Sequence, residues 1–181
     1  MILSDSELVE MLREPRTRRE GFAVLVKQYS EKLYWKVRRI VLSHEDANDV
    51  LQNVFIKVWS NLQNFQGKSS LSTWLYRIAV NESLDFLRKQ KLADKVSTDE
   101  DDSVASRLMS EEYFDGDEVQ TRLQEAVARL PEVQRTVFNL KYFEEMKYSE
   151  ISQILNTSEG ALKASYHLAV KKITEYLHLF D

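Results

Sequence analysis

Across residues 22–41, apolar side chains return at steps of three and four: Phe22, Leu25, Val26, Tyr29, Leu33, Val37, Ile40 and Val41. Such spacing lines them up on one face of an α-helix, whereas a half-buried strand would need a period of two. Little in the rest of the chain interrupts patterns of this kind. Glycine occurs four times and proline twice in 181 residues, while Leu, Glu, Lys, Val, Ala and Gln are plentiful. The expectation is an all-α protein of long helices, and the apolar fraction of 43% suffices for the cores of one or two small domains. Cysteine is absent, which excludes a disulfide framework and a thiolate metal site.

Four helices are predicted ahead of residue 92. Ser4 or Asp5 caps a first one carrying Leu8, Met11 and Leu12, and Pro15 ends it, because the residue before a proline disfavours helical backbone. The second covers about residues 18–43 and the third about 44–62. A loop with Gly67 follows, and Ser70 or Ser72 opens the fourth. Residues 94–118 hold ten Asp or Glu against Lys95 and Arg107, and the segment from about residue 92 to 116, with little sustained period, reads as a linker. Periodicity returns near Asp117. One helix stops before Pro131, and the next starts with that proline at a permitted first position. The domain reading is residues 1–92, an acidic flexible linker 93–117, and residues 118–181.

Net charge is −4, which alone argues against nucleic acid, yet outside the acidic segment the remainder is net basic. Asp5 and Glu7 stand where a secretory signal would need positive charge, and no apolar run approaches the ~20 residues of a membrane helix. A cytoplasmic protein without membrane insertion is expected.

Residues 148–173, YSEISQILNTSEGALKASYHLAVKKI, have the layout of a helix-turn-helix. Tyr148, Ile151, Ile154 and Leu155 share one side of a short helix. Asn156 suits a left-handed helix end, Ser158 suits the next N-cap, and Gly160 permits close approach of two backbones. Leu162, Tyr166, Ala169, Ile173 and Leu177 form the buried stripe of the second helix. Its other side carries Gly160, Ala161, Ala164, His167, Leu168 and Lys171, flanked by Lys163, Ser165 and Lys172, with no acid over residues 160–173. Small side chains for close approach and cations for flanking phosphates suit a helix laid in a major groove. A helical hairpin with a solvated lysine face is the plainer reading, and cap, glycine and stripe together argue against it.

Two further faces lie in the first half. The third helix buries Ala47, Val50, Leu51, Val54 and Val58, yet Phe55 and Trp59 fall on a second side with Asn48 and Gln52, with Ile56 and Asp49 just beyond. That stripe is either a partner site or a helix sandwiched from two sides. On the fourth helix Leu75, Ala79, Phe86 and Leu87 make the buried side. Trp74, Arg77, Asn81 and Arg88 line up elsewhere, beside Lys89 and Lys91, and offer the aromatic, amide and cationic groups a single-strand binder uses. An ordinary solvated face is the alternative.

The stretch DANDVLQNVFIKVWSNLQNFQGKSSLSTWLYRIAVNESLDFLRK resembles the first conserved domain of extracytoplasmic-function (ECF) sigma factors, specificity subunits of bacterial RNA polymerase. LPEVQRTVFNLKYFEEMKYSEISQILNTSEGALKASYHLAVKKI is similar to their second, a helix-turn-helix within a four-helix domain. The resemblance implies that Asn48, Asp49, Gln52, Phe55, Ile56 and Trp59 dock on the clamp helices of the largest polymerase subunit. It implies that Phe65, Lys68, Trp74, Arg77, Asn81, Arg88 and Lys89 open and read the minus-ten element, holding a flipped non-template base. Ser158, Lys163, Ala164, Ser165, His167, Leu168, Lys171 and Lys172 match the helix that reads the minus-thirty-five element. The linker matches one that threads polymerase channels. Implied partners are core RNA polymerase, promoter DNA as duplex and melted strand, and an anti-sigma factor, with a monomer when free and neither cofactor nor metal. The chain departs from the pattern where Ala164, Ser165 and Leu168 replace frequently polar or basic residues, so low autonomous DNA affinity is expected. Lys147 likewise stands where a Ser or Thr cap is common.

A helix-turn-helix repressor or activator acting without polymerase, as a dimer, would explain the last domain and leave both faces of the first unemployed. An enzyme is disfavoured: His44, His167 and His178 are far apart in sequence, and no glycine-rich phosphate loop is present.

Overall fold

The computed structural model describes residues 2–93 and 118–180. These residues form helices and no strand, in two compact units, Met1–Gln90 and Lys91–Asp181. The acidic linker read at 93–117 lies, apart from Ala93, outside the described residues.

In the first unit α1 (Asp5–Arg13) starts in a reciprocal cap. Ser4 Oγ accepts the Glu7 N–H, and the Glu7 carboxylate accepts the Ser4 N–H at 2.8 Å. The helix stops at Arg13, with Glu14 extended ahead of Pro15. Then α2 (Arg18–Val41) carries the apolar stripe, with Leu25, Leu33 and Val37 fully buried. It ends two residues earlier than the pattern suggests. Leu42 turns to φ 71° and the Ser43 N–H bonds Val41 O, a γ-turn that leads directly into α3 (His44–Asn61). A 3-10 turn, Leu62–Asn64, and a loop lead to α4 (Leu71–Ala93), capped by Ser70, whose Oγ accepts the Thr73 N–H.

Helix α1 packs on α2, and α2 on α3. Side chains tie α4 to both longer helices: the Lys36 ammonium lies 3.9 Å over the Tyr76 ring, and Lys57 pairs with Glu82. The buried face of α4 is Leu71, Leu75, Ala79, Val80, Ser83, Leu84 and Leu87. Phe86, expected inside, is only half-buried, as is Leu51 of α3. In both helices a neighbouring turn supplies the buried side chain, at Ser83 and Leu87 in one and Val50 and Val54 in the other.

The second unit contains α5 (Glu118–Ala128), α6 (Glu132–Phe138), α7 (Tyr148–Leu155) and α8 (Glu159–Leu177). Pro131 sits at the N-cap of α6 rather than at its first position, since its ψ of 145° is extended. At its other end α6 widens into a π-helical stretch, Asn139–Phe143, which the sequence pattern gave no reason to expect. Its consequence is aromatic: Phe138 stacks on Tyr142 at 5.0 Å and on Tyr166 of α8 at 5.7 Å. Around Phe138 the core gathers Ala126, Val127, Leu130, Ala169 and Ile173.

Candidate nucleic-acid and partner interfaces

The helix-turn-helix is built by its caps. Asn156 ends α7 in the left-handed conformation at φ 51°, and Ser158 starts α8 by accepting the Ala161 N–H at 3.2 Å. Lys147 has no oxygen with which to cap α7, but Glu150 supplies the reciprocal half by accepting the Lys147 N–H at 2.9 Å. Leu162, Ala169 and Ile173 are buried and Tyr166 and Leu177 half-buried, which leaves the opposite side of α8 to solvent. On that side Ser158, Lys163, Ala164, His167, Leu168, Lys171 and Lys172 are exposed and Ser165 is half-buried. Gly160 corrects one expectation: a Cβ built there meets nothing within 4 Å, so it makes no close backbone contact in the unit. Its smallness keeps the outward surface low instead. Lys163 lies 5.7 Å over the Tyr148 ring, and Lys171 stands 4.0 Å from Glu175, an exposed and weak pair.

On α3 the second aromatic stripe is covered on one flank and exposed on the other. Phe22 of α2 packs edge-on against Phe55 and Trp59, at 6.4 and 5.0 Å between ring centres, and covers one flank. The other flank is open: Ile56 is 58% exposed and Trp59 43%, with Asn48, Asp49 and Gln52 also at the surface. Phe22 belongs to the apolar stripe of α2 and also reaches α3, a second role for which its position at the edge of that stripe is the only signal in the sequence. Asn48 is not free to turn. Its amide nitrogen lies 3.1 Å from His44 Nε2, and His44 Nδ1 lies 2.7 Å from the Tyr34 hydroxyl, so an amide that donates to Nε2 leaves the proton on Nδ1. At the start of the same helix, burial raises the Asp46 carboxyl above its usual range although Gln90 and Ser43 donate to it.

The α4 face is partly occupied from within. Trp74 is half-buried with its ring 5.0 Å from Phe65 at a tilt of 45°, and so presents one face beside the loop. Arg77 is half-buried, and its Nε is enclosed without a hydrogen-bond partner among the described residues. Asn81, Lys68 and Lys89 are exposed; Arg88 is exposed and already bonded to Asp85 at 2.6 Å. Steps of three and four bring Trp74, Arg77, Asn81 and Arg88 to one side of one helix, with Phe65 against its beginning. Among the described residues no three His, Asp or Glu side chains cluster as a metal site requires, and no helix is long and apolar enough to cross a membrane.

The chain folds as two helical units with a helix-turn-helix in the second, and both halves match family models of sigma-70 type proteins. Residues 25–93 match Sigma-70 region 2 and residues 120–173 match Sigma-70, region 4. The chain is 32% identical to the ECF RNA polymerase sigma factor SigW of Bacillus subtilis (strain 168), over 82% of this chain and 84% of that one. It is 30% identical to the RNA polymerase sigma-H factor of Pseudomonas aeruginosa, over 96% and 93%. The chain belongs to the ECF RNA polymerase sigma factors, DNA-binding proteins that direct transcription initiation and are not an enzyme family. A solved sigma factor, RpoE from Bartonella quintana in complex with the anti-sigma factor NepR, shares the fold at a TM-score of 0.70, with 20% identity over 88% of this chain and 98% of that one.

Proposed function

We propose that the chain divides promoter selection among three surfaces on its two domains, residues 1–92 and 118–181. The open flank of α3, with Asn48, Asp49, Gln52, Ile56 and Trp59, together with the half-buried Phe55 beside it, docks on core RNA polymerase. Large exposed apolar side chains edged by polar ones are costly to leave in water and are what a helix-in-groove interface uses. The loop and α4, through Phe65, Lys68, Trp74, Arg77, Asn81, Arg88 and Lys89, capture melted minus-ten DNA. Unstacking a base costs a few kcal/mol, which stacking on an aromatic and hydrogen bonds to its edge can offset, so no nucleotide hydrolysis is needed. The outward side of α8 reads the minus-thirty-five element: Lys163, Lys171 and Lys172 meet phosphates, while Ser158, Ala164, Ser165, His167 and Leu168 border the bases.

The observation that carries this reading is the pair of surfaces on adjacent helices of one unit, apolar and exposed on α3, aromatic and amide-bearing on α4. A repressor that works without polymerase has no use for either. An anti-sigma partner is part of the proposal, supported by the fold it shares with RpoE, which is held by NepR, and with CnrH, solved with the cytosolic domain of CnrY at a TM-score of 0.62.

Four variants test the division of labour. Phe55→Ala and Trp59→Ala should weaken polymerase binding by about tenfold or more, the scale of losing an interface aromatic. Trp74→Ala and Asn81→Ala should leave polymerase affinity intact and reduce permanganate-detected melting, by roughly fivefold to a hundredfold for a stacking loss of about 1 to 3 kcal/mol. Parallel loss of both activities in all four folded variants contradicts the assignment.

A further inference from the structure

Helix α1 takes no part in these three surfaces, yet it is fastened at both ends. Leu3 exchanges backbone hydrogen bonds with the Gln28 side chain at 3.1 and 2.9 Å, and Asp5 accepts the Tyr29 hydroxyl at 2.5 Å. At the far end the Thr17 hydroxyl donates to Met11 O and Arg18 Nε donates to Leu12 O. Midway, a Cβ on Gly21 would sit 2.8 Å from the Met11 Cβ, so only glycine lets α1 lie this near α2.

The loop of residues 65–70 is held differently. The Phe65 N–H reaches Leu62 O at 3.3 Å and Ser70 caps α4, and between them residues 66–69 form no hydrogen bond with a described residue. What stands against the loop is α1. The Arg13 guanidinium stands beside Gly67, whose φ is +70°, with Nη2 3.4 Å from where a Cβ would be. An open groove between them is lined by Met11 and Arg13 on one side and Phe65, Gly67 and Ser69 on the other.

We propose that α1 is a brace for the minus-ten loop, with Arg13 the positioning residue that seats the turn at Gly67. This rests on the reading of residues 65–89 as the minus-ten surface. A segment with few hydrogen bonds of its own opens readily, and ordering it beforehand removes entropy that base capture would otherwise cost. A planar guanidinium can pack against the bare backbone of a glycine, where a lysine ammonium, a hydrated point charge, does not. Asp5, Glu7, Glu10 and Glu14 line the same groove and repel phosphate, which disfavours a direct role for Arg13 on the DNA backbone.

The test uses the full chain bound to bacterial core polymerase, on a promoter selected by transcription from genomic DNA and carrying 2-aminopurine in its minus-ten element. Arg13→Ala, Arg13→Lys and Gly21→Ala should each reduce discrimination between matched and altered minus-ten sequences, roughly three- to tenfold, with polymerase affinity and salt dependence unchanged. Arg13 is exposed, so its variants keep the fold; Gly21→Ala shifts α1 without touching the loop. A loss equal for every sequence, restored by Arg13→Lys and with a shallower salt slope, makes Arg13 a phosphate contact and overturns the brace. Unchanged discrimination in all three, with Trp74→Ala and Asn81→Ala impaired in the same assay, overturns the brace alone. Unchanged discrimination in all five removes the minus-ten reading beneath it.

Discussion

Leu42 joins α2 to α3 at a conformation that side chains resist, φ 71° and ψ −36°, while the residue is buried at 5% exposure. Two opposed effects meet there. Burial of a leucine is worth about 2 to 3 kcal/mol, and strained backbone of this kind costs about 1 to 3. Leu42→Ala loses burial and keeps the strain, whereas Leu42→Gly loses burial and is freed of it. The glycine variant should therefore be the more stable of the two by about 1 kcal/mol, the reverse of their order in a helix, as read from denaturant midpoints. Lys36 offers a pH signature. Burial, with the Arg39 and Lys32 charges adding to it, lowers its ammonium from 10.5 to about 8. Between those values the unfolded chain holds the extra proton, so the penalty is complete below about pH 8 and lifts as pH rises toward 10.5. Against Lys36→Met, the wild-type chain should gain stability between pH 7 and pH 9.5; an unchanged difference would mean the ammonium is fully solvated.

Among the helices, α6 departs furthest from its sequence pattern, and its π-helical end creates the stacked set of Tyr142, Phe138 and Tyr166. Phe138→Ala removes the middle ring of that set and leaves a core cavity, which should cost about 3 to 5 kcal/mol and unfold the second unit at a lower temperature than the wild type. Near-UV circular dichroism, sensitive to the tyrosines, checks it; a melting curve unchanged from the wild type would mean the stack carries little of the core. The π turn was not legible because periodicity reports which residues face inward, not whether a ladder bond skips a residue. Caps were legible, because Ser4, Ser70, Asn156 and Ser158 each act through groups within four residues. Contacts between helices were not. Phe22 covering one flank of α3, Gly21 admitting α1, and Arg13 beside Gly67 each join residues distant in sequence, where spacing within one helix carries no information.

At the scale of the whole chain the question is how a protein of net charge −4 selects DNA. Affinity for duplex DNA follows the number of phosphates neutralised, and α8 brings only Lys163, Lys171 and Lys172 to its outward side. Selectivity without grip is workable if a larger enzyme supplies the grip, and it keeps the free chain from scattering over non-specific sites. The direct measurement is DNA affinity for a selected promoter and a scrambled control, by the chain alone and with bacterial core polymerase, across a salt series. Alone, the chain should bind weakly, with no more than about tenfold preference at near-physiological salt. With polymerase the preference should reach the range of about a thousandfold or more that specific complexes show. Tight, promoter-selective binding by the chain alone, indifferent to added polymerase, would contradict the division between selector and engine.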